Sequence, residues 1–198
     1  MTLLEQLRAE TRLLHEQTEQ LLYADALRSG TLSPRQYGHL LRMQAAYHDA
    51  LEKAIDRHPA FFADYEPDRR RKTPWLRADL TSAGQTLPAL SEGFADWSPA
   101  QLLGAAYVGE GSMLGGKTVW HYLNQSPALR PLLADARFYR GYGPETGTLW
   151  RTFIDFLSRQ DAAPAEVVEG ARQAFRLFQE LFDRTRADLR PEPAYSAD

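Results

Sequence analysis

The amino-acid sequence predicts an all-α protein with a single domain, and three observations support this fold class. Apolar residues recur at steps of three and four through most of the 198 residues, which is the spacing of one helix face. Ser-Pro pairs at 33–34 and 98–99 place a typical N-cap residue before a proline at the first helical position. No segment shows the alternation of strands and helices expected for a parallel sheet. We therefore expect seven or eight helices in one domain over 1–190, followed by a flexible tail at 191–198.

The composition is that of an ordinary globular protein, and it excludes several kinds of site. With 43% hydrophobic and 25% charged residues, the chain can bury a sizeable core. It has no cysteine, so disulfides and cysteine-ligated zinc or iron–sulfur sites cannot form within it. A net charge of −3 gives no general electrostatic reason to bind nucleic acid or an anionic membrane. The N-terminus lacks a signal peptide and no apolar run could span a bilayer, so we expect a cytoplasmic protein without membrane contact.

The first helix is predicted over residues 2–29, where Gly30 ends it, and it carries a candidate metal ligand. Arg8 lies two turns before His15, and Glu19 lies one turn after it. An imidazole can ligate iron, a carboxylate one turn away can accept its other ring N–H, and an arginine can pair with an anionic group of the ligand. These parts suit heme. Considered alone, however, one such histidine is more often a half-buried polar residue on a solvated face.

The segment Tyr107–Lys117 contains four glycines inside an otherwise helical pattern: Gly109, Gly111, Gly115 and Gly116. Each glycine in a helix interior costs roughly 1 kcal/mol against alanine, so a helix without a further purpose would not contain four. Their spacing predicts one side of the helix without side chains, open to close approach. Two interpretations carry about equal weight: tight helix packing or a kink, and a flat ligand lying against the backbone.

The same segment also satisfies a phosphate-loop pattern, because residues 111–118 read Gly-Ser-Met-Leu-Gly-Gly-Lys-Thr. The backbone amides of such a loop would bind nucleotide phosphates. That loop needs a buried strand before it and a parallel sheet around it. The Ser-Pro pair at 98–99 instead predicts a helix running into the glycines, so we give this alternative little weight.

Three further predictions concern residues outside these two segments. His39 and His48, in the second helix, are interpreted as packing or surface residues because no cluster of acidic ligands accompanies them. The basic run Asp68–Lys72 is interpreted as a solvated turn or helix start. In the last helix, which begins at Pro164, Phe175 belongs to an apolar side that indicates core packing when it is considered alone.

Three stretches together resemble the heme oxygenase family, and in particular its soluble bacterial members associated with phytochrome. Leu7–Glu19 is similar to that family's proximal helix, and Tyr107–Gly116 is similar to its distal helix. Val167–Phe175 is similar to the start of its last helix. The resemblance covers most of residues 2–189 and rests on the order of these motifs in an all-helical chain of this length. It implies a heme oxygenase-like fold with heme between a proximal N-terminal helix and a kinked, glycine-rich distal helix.

The resemblance implies a role for each candidate site residue. On the proximal side, His15 is the iron ligand, Glu19 is its hydrogen-bonding partner, and Arg8 contacts a heme propionate. Tyr107 is a second propionate contact, and Phe175 flanks the pocket. The distal residues implied are Gly109 as a heme contact and Gly111, Ser112, Gly115 and Gly116 as catalytic positions.

One departure from the family pattern concerns the distal helix. Many members carry an aspartate there that anchors water near the bound oxygen, and Ser112 occupies that position in this sequence. Glu110 is close by, but its position points it off the glycine face. We interpret Glu110 as a member of an exterior ion pair.

The implied reaction is oxidative cleavage of heme to biliverdin with release of carbon monoxide and ferrous iron. Heme is then both substrate and cofactor, O₂ is the co-substrate, and electrons come from a ferredoxin or a separate reductase. The biliverdin would supply the chromophore of a phytochrome. Two alternatives remain: a heme-binding or storage protein of the same fold, and a di-iron carboxylate protein. The second ranks last because the sequence has no Glu-x-x-His pair.

Overall fold

The computed structural model describes residues 1–88 and 93–187, and within them the chain forms eight α-helices and no strand. The helices are α1 (Leu3–Leu21), α2 (Ala24–Arg28), α3 (Pro34–Asp56), α4 (Thr73–Ser82), α5 (Pro99–Leu123), α6 (Arg130–Leu133), α7 (Thr146–Arg159) and α8 (Pro164–Ala187). Short 3₁₀ turns lie at Ala63–Tyr65, Pro67–Arg70, Pro127–Leu129, Phe138–Arg140 and Gly143–Glu145. The predicted all-α fold is confirmed.

The predicted domain boundary at 190 and the tail over 191–198 lie outside the described residues. Among the helices that the structure describes, none combines the length and the apolar character needed to cross a bilayer.

The helix starts predicted from the Ser-Pro pairs are confirmed at α3 and α5. Ser98 accepts the backbone N–H of Gln101 on its hydroxyl, and the Gln101 side chain accepts the N–H of Ser98 in return. This reciprocal pair satisfies two backbone donors that a helix start leaves without partners. The Ser98 hydroxyl also donates to Glu166 at 3.1 Å, which joins the start of α5 to the start of α8.

The single helix predicted over residues 2–29 is wrong, because the structure breaks it at Tyr23. Tyr23 adopts a left-handed backbone conformation with φ at 55° between α1 and α2. His39 donates from Nε2 to the carbonyl oxygen of Phe182 at 2.8 Å, so its Nδ1 is left to accept the Tyr23 hydroxyl at 2.7 Å. Contacts with α3 and α8 therefore account for a break that neither glycine nor proline marks in the sequence.

Helix α8 packs against α1, α3 and α5. The order of its contacts shows the chain direction of α1 and α5 relative to α8. Contacts between α1 and α8 advance in the same order along both helices, from Glu10 with Arg172, through His15 with Phe175, to Thr18 with Gln179. Contacts between α5 and α8 also advance in the same order along both helices, from Ser98 with Glu166 to Gly104 with Ala171. Helices α1, α5 and α8 therefore run in the same general direction.

Helices α5 and α8 cross at two glycines that the helical spacing of the sequence does not single out. A Cβ on Gly104 would lie 2.1 Å from the carbonyl oxygen of Val167. A Cβ on Gly170 would lie 2.3 Å from the carbonyl oxygen of Gln101. Because both obstacles are backbone atoms, neither position accepts a side chain. This crossing fixes α5 on α8 about two turns before the glycine-rich segment.

Candidate active site

His15 projects from α1 with much of its side chain accessible to solvent. The side chain is 58% exposed, and its ring lies edge-on to that of Phe175 with the centroids 5.9 Å apart. Oε1 of Glu19 lies 3.8 Å from Nε2 of His15, which is too long for a hydrogen bond. An exposed imidazole beside a carboxylate can ligate a metal ion through one ring nitrogen and donate a hydrogen bond to the carboxylate from the other. His15 and Glu19 thus lie side by side on α1 without a hydrogen bond between them, and their role as a proximal pair stays a prediction.

Tyr107 on α5 lies near Thr11 on α1 and within range of the charge of Arg8. Burial raises the pKa of the Tyr107 hydroxyl, whereas the charge of Arg8 and a hydrogen bond with Thr11 lower it in part. Thr11 is buried, and its own hydroxyl donates to the Leu7 carbonyl at 2.7 Å. A guanidinium and a protonated phenol in one place are suited to bind carboxylate groups.

The helical periodicity of α1 and α5 predicts where His15 and Gly111 lie relative to this contact. A step of four residues keeps to one face of a helix, so His15 follows Thr11 on α1 and Gly111 follows Tyr107 on α5. Because the two helices run in the same general direction, both residues follow the contact between Thr11 and Tyr107, and we name the region between α1 and α5 at this level the cleft. Phe175 of α8 lies next to His15.

Gly111 and Gly115 form an open face on α5. A Cβ on either residue would have no atom within 4 Å apart from its immediate helix surroundings. Packing therefore does not require glycine at these positions, although each costs the helix roughly 1 kcal/mol. Of the two interpretations of the glycine-rich segment, approach of a ligand to the backbone is the one that fits this face.

Gly109 and Gly116 lie on the other side of α5, so the prediction of a single glycine face is wrong. Seven residues bring a helix back to the same direction, whereas two residues turn it by about 200°. A Cβ on Gly109 would lie 3.4 Å from Cε1 of His48, and one on Gly116 would lie 3.7 Å from the carbonyl oxygen of Tyr139. These two glycines face packed elements, so the close-packing interpretation applies to them.

Ser112 follows Gly111 and is half-buried. Its hydroxyl donates to the carbonyl oxygen of Gly109 at 2.7 Å, and its oxygen keeps lone pairs with which to accept a further hydrogen bond. A serine hydroxyl is neutral near pH 7, whereas an aspartate in this position would be charged. Ser112 can therefore orient a water molecule, but it adds no negative charge to the cleft.

Glu110 lies in a buried ion cluster, so the exterior position predicted for it is wrong. Its Oε2 accepts Nη1 of Arg70 at 2.9 Å, and its Oε1 accepts Nζ of Lys72 at 2.5 Å, with all three side chains almost fully buried. The solvated turn predicted for Asp68–Lys72 is also wrong for these two cations. The sequence shows no sign of this pairing, because the cations precede Glu110 by about 40 residues and meet it only in the folded chain.

Two tyrosine hydroxyls complete the partners of Glu110. Tyr65 donates to Oε1 at 3.0 Å, and Tyr142 donates to the same oxygen at 3.1 Å. Burial and the charge of Glu110 raise the pKa of both hydroxyls, so they remain protonated and act as donors. Four donors around one carboxylate offset the cost of removing its charge from water.

Several buried polar atoms on α3 lack a hydrogen-bonding partner among the described residues, and sequence reasoning did not find them. Two of them are Oε1 of Gln44 and Nε2 of His48, one helical turn apart. Burial and the charge of Lys72 lower the pKa of His48 well below its ordinary value, so its ring is neutral. Because His48 touches the Gly109 position, it lies directly behind the glycine-rich segment. Buried groups of this kind usually bond to an internal water.

Two alternatives from the sequence find no support in the fold. Residues 111–118 lie inside α5, and the described part of the chain contains no strand from which a phosphate loop could start. Over residues 1–88 and 93–187 there is also no group of three or more metal-ligating side chains, as a di-iron carboxylate site would need.

A family model described as Heme oxygenase matches residues 1–184. A heme oxygenase of Xanthomonas campestris pv. campestris (strain 8004) is 36% identical over 112 residues. That match covers 55% of this chain and 66% of the relative, which is just under two thirds of its length.

Solved structures share the fold at low sequence identity. The heme oxygenase from Leptospira interrogans has a TM-score of 0.79 at 18% identity, covering 93% of this chain and 100% of that one. The NO- and CO-bound heme oxygenase from Neisseria meningitidis has a TM-score of 0.74 at 20% identity, covering 98% and 96%. Heme oxygenase-1 from the cyanobacterium Synechocystis sp. PCC6803, in complex with heme, has a TM-score of 0.67 at 16% identity, covering 95% and 94%. Since the family model spans nearly the whole described chain and the folds agree, this protein belongs to the heme oxygenase family of oxidoreductases.

Proposed function

We propose that this chain opens the heme ring oxidatively, yielding biliverdin, carbon monoxide and ferrous iron. The observations that support the proposal are the exposed imidazole of His15 on α1 and the open glycine face of α5, on the two helices that border the cleft. A flat macrocycle with a central iron fits between one axial ligand and an opposite wall without side chains. Heme is the substrate of this reaction as well as its cofactor.

On the α1 side, His15 would ligate the heme iron through one ring nitrogen. Glu19 would accept a hydrogen bond from the other nitrogen, which fixes the tautomer and makes the imidazole a stronger ligand. Phe175, edge-on to His15, limits how far the imidazole can rotate. These three residues therefore define where the iron lies along the cleft.

At the end where α1 and α5 meet, Arg8 and Tyr107 would hold the heme propionates. The guanidinium contributes charge-assisted hydrogen bonds. The pKa of the Tyr107 hydroxyl is raised by its burial, so this group remains a donor at neutral pH. Propionates held at one end set the rotation of the ring, and this rotation decides which edge of the ring lies under Gly111.

On the α5 side, Gly111 and Gly115 would let the helix backbone come close to the distal face of the heme. When bound, the heme supplies the iron centre that activates O₂. Without side chains at these two positions, the backbone of α5 would lie close to the distal face of the heme and would limit the space above it. No acid–base histidine or carboxylate extends from this face, so nothing there promotes O–O cleavage of the peroxidase type.

Protons for the reaction would come through water held near α5. Gln44 and His48 provide two unpartnered polar atoms behind the helix, and Ser112 keeps an acceptor position on its hydroxyl oxygen. Internal water at such groups forms hydrogen-bonded chains that can deliver protons. This arrangement would replace the aspartate that many family members carry at the position of Ser112.

The reaction also needs O₂ and an external source of electrons. We propose a ferredoxin or a separate reductase as the electron donor and a phytochrome as the acceptor of biliverdin. Both partners follow from the resemblance to soluble bacterial members of the family.

A heme titration of the purified protein, followed optically, tests the proposal. We expect a Soret band that saturates at one heme per chain and then decays under air once an electron donor is added, with a biliverdin absorption in its place. Binding without decay would favour a heme-binding or storage protein. Absence of binding would overturn the proposal and leave the open glycine face of α5 without a ligand.

A further inference from the structure

We propose that Glu110 is a positioning residue for the glycine-rich segment of α5, defined as residues 109–116. Its carboxylate fixes the rotation and height of this segment over the heme and so helps decide which edge of the ring is attacked. The inference deepens the proposed heme-degrading function and rests on it for the role of the segment. The Glu110 side chain itself does not reach the cleft, since it is held in the buried cluster behind it.

The first argument is that the segment has few side chains of its own to hold it. Gly111 and Gly115 contact nothing on the open face, and Gly109 and Gly116 offer only backbone to their neighbours. The tight crossing with α8 lies earlier in the helix, at Gly104. A run of glycines is also the part of a helix most easily unwound. A separate anchor is therefore needed if the open face is to keep one orientation.

The second argument is that Glu110 is tied to several separate parts of the chain. Its four donors come from the two 3₁₀ turns after α3, from the residue before α4 and from the turn before α7. Arg70 extends the connection, because its Nη2 donates to the carbonyl of Leu149 and to the hydroxyl of Thr152 on α7. Lys72 extends it to α3, because its backbone N–H donates to Glu52 at 2.7 Å.

The third argument concerns geometry. Glu110 and Gly111 are adjacent residues, so any rotation of α5 that moves the open face also moves the carboxylate away from its donors. Buried ion clusters are poor sources of net stability compared with apolar packing, yet they accept only one arrangement of their members. A cluster of this kind placed behind a weak helical segment is better explained by positioning than by stability.

The test compares Glu110→Gln with Leu157→Ala, a core substitution in α7 outside the cluster. The double variant Glu110→Gln/Lys72→Met removes a buried cation together with the carboxylate. It replaces the single variant in the comparison if Glu110→Gln does not fold. Hydrogen exchange on the protein without heme is measured first, in peptides covering 107–118. We expect exchange in this segment to be at least tenfold faster in the Glu110 variants than in Leu157→Ala. Equal exchange rates would overturn the inference.

The second readout uses the heme-loaded protein. We expect Glu110→Gln to bind one heme, to alter the paramagnetically shifted proton NMR spectrum of the ferric complex and to change the ratio of biliverdin isomers. Leu157→Ala should keep the wild-type spectrum and isomer ratio. A wild-type spectrum and isomer ratio in Glu110→Gln would overturn the positioning role. Failure of the wild-type protein to bind heme would instead count against the proposed function, and the exchange data would still decide whether Glu110 holds the segment.

Discussion

Gly104 on α5 and Gly170 on α8 stand where the two helix backbones cross, and neither position has room for a methyl group. We expect Gly104→Ala to lower the free energy of unfolding by about 3 kcal/mol, at the upper end of the usual effect of overpacking. The reason is that the new methyl would meet the backbone of Val167 at 2.1 Å, and backbone cannot move aside as a flexible side chain can. Urea unfolding measures this loss.

Gly147 on α7 provides the matched control for this substitution. A Cβ there meets no atom within 4 Å, so Gly147→Ala should leave stability unchanged or raise it by up to about 1 kcal/mol. Similar losses in Gly104→Ala and Gly147→Ala would show that the crossing does not depend on glycine.

The Glu110 cluster predicts strong coupling between its members. We expect Glu110→Gln to lower the free energy of unfolding by about 3–5 kcal/mol, because Arg70 and Lys72 then remain buried without a counter-charge. Adding Lys72→Met should recover part of this loss, since one uncompensated cation is removed. A double-mutant cycle measured by urea unfolding gives the coupling energy directly. Additive effects would mean that the two side chains do not interact in the folded protein.

The open face of α5 predicts a substitution that affects binding without affecting folding. Gly115→Leu should leave the unfolding free energy of the protein without heme unchanged or slightly higher, because its Cβ meets open space and leucine favours helix. It should weaken heme binding at least tenfold, because the side chain would occupy the distal side of the cleft. Optical titration measures the affinity, with Gly147→Leu as the control for the same change on an exposed glycine. If Gly115→Leu binds heme with wild-type affinity, heme does not bind against the open face of α5.

Removal of the axial ligand gives a complementary prediction on α1. His15→Ala should abolish ring opening and shift the Soret band of any heme that still binds, since the imidazole–iron bond is lost. Because the side chain is 58% exposed, the stability of the protein without heme should change by no more than about 0.5 kcal/mol. His58→Ala, in the turn that follows α3, is the control and should keep both spectrum and turnover. A normal spectrum in His15→Ala would assign the iron to another ligand.

The two buried histidines predict a loss of stability in mild acid. Burial lowers the pKa of both His39 and His48, the latter with help from the charge of Lys72. Below the ordinary pKa of 6.5, the unfolded chain binds protons that the folded chain does not, so stability falls as the pH drops below this value. Each histidine contributes at most about 1.4 kcal/mol per pH unit in this range. Urea unfolding between about pH 7.5 and about pH 5.5 measures the slope, which His48→Gln should reduce.

The sequence was sufficient for features that depend on local chemistry. Ser98 and Pro99 determine the start of α5 through a capping box whose members lie within three residues of each other. His15 and Glu19 share a helix face because of helical periodicity alone. The start of α5 and the shared helix face of His15 and Glu19 could therefore be predicted without knowledge of the tertiary structure.

Features that depend on contacts between distant segments could not be predicted. Tyr23, at the break in the first helix, forms a hydrogen bond to His39 on α3 and a ring contact with Phe182 on α8, and nothing in its neighbouring residues indicates a break. Glu110 is surrounded by charged residues only after α5 packs beside the turns that follow α3. The need for glycine at position 104 is evident only once α8 packs against it. In each case the decisive partner is at least 16 residues away in the sequence.

The shared direction of α1, α5 and α8 also bears on how the protein is made. Helix α8, the last helix described, holds α1 in place through contacts such as Arg172 with Glu10, which are 162 residues apart. Such long loops close late, because their entropy must be lost before their contacts form. A nascent chain that has not yet released α8 from the ribosome therefore lacks the helix that makes the most contacts with both α1 and α5. Heme capture should begin only when synthesis of α8 is complete, which delays the reactive site until the rest of the fold is present.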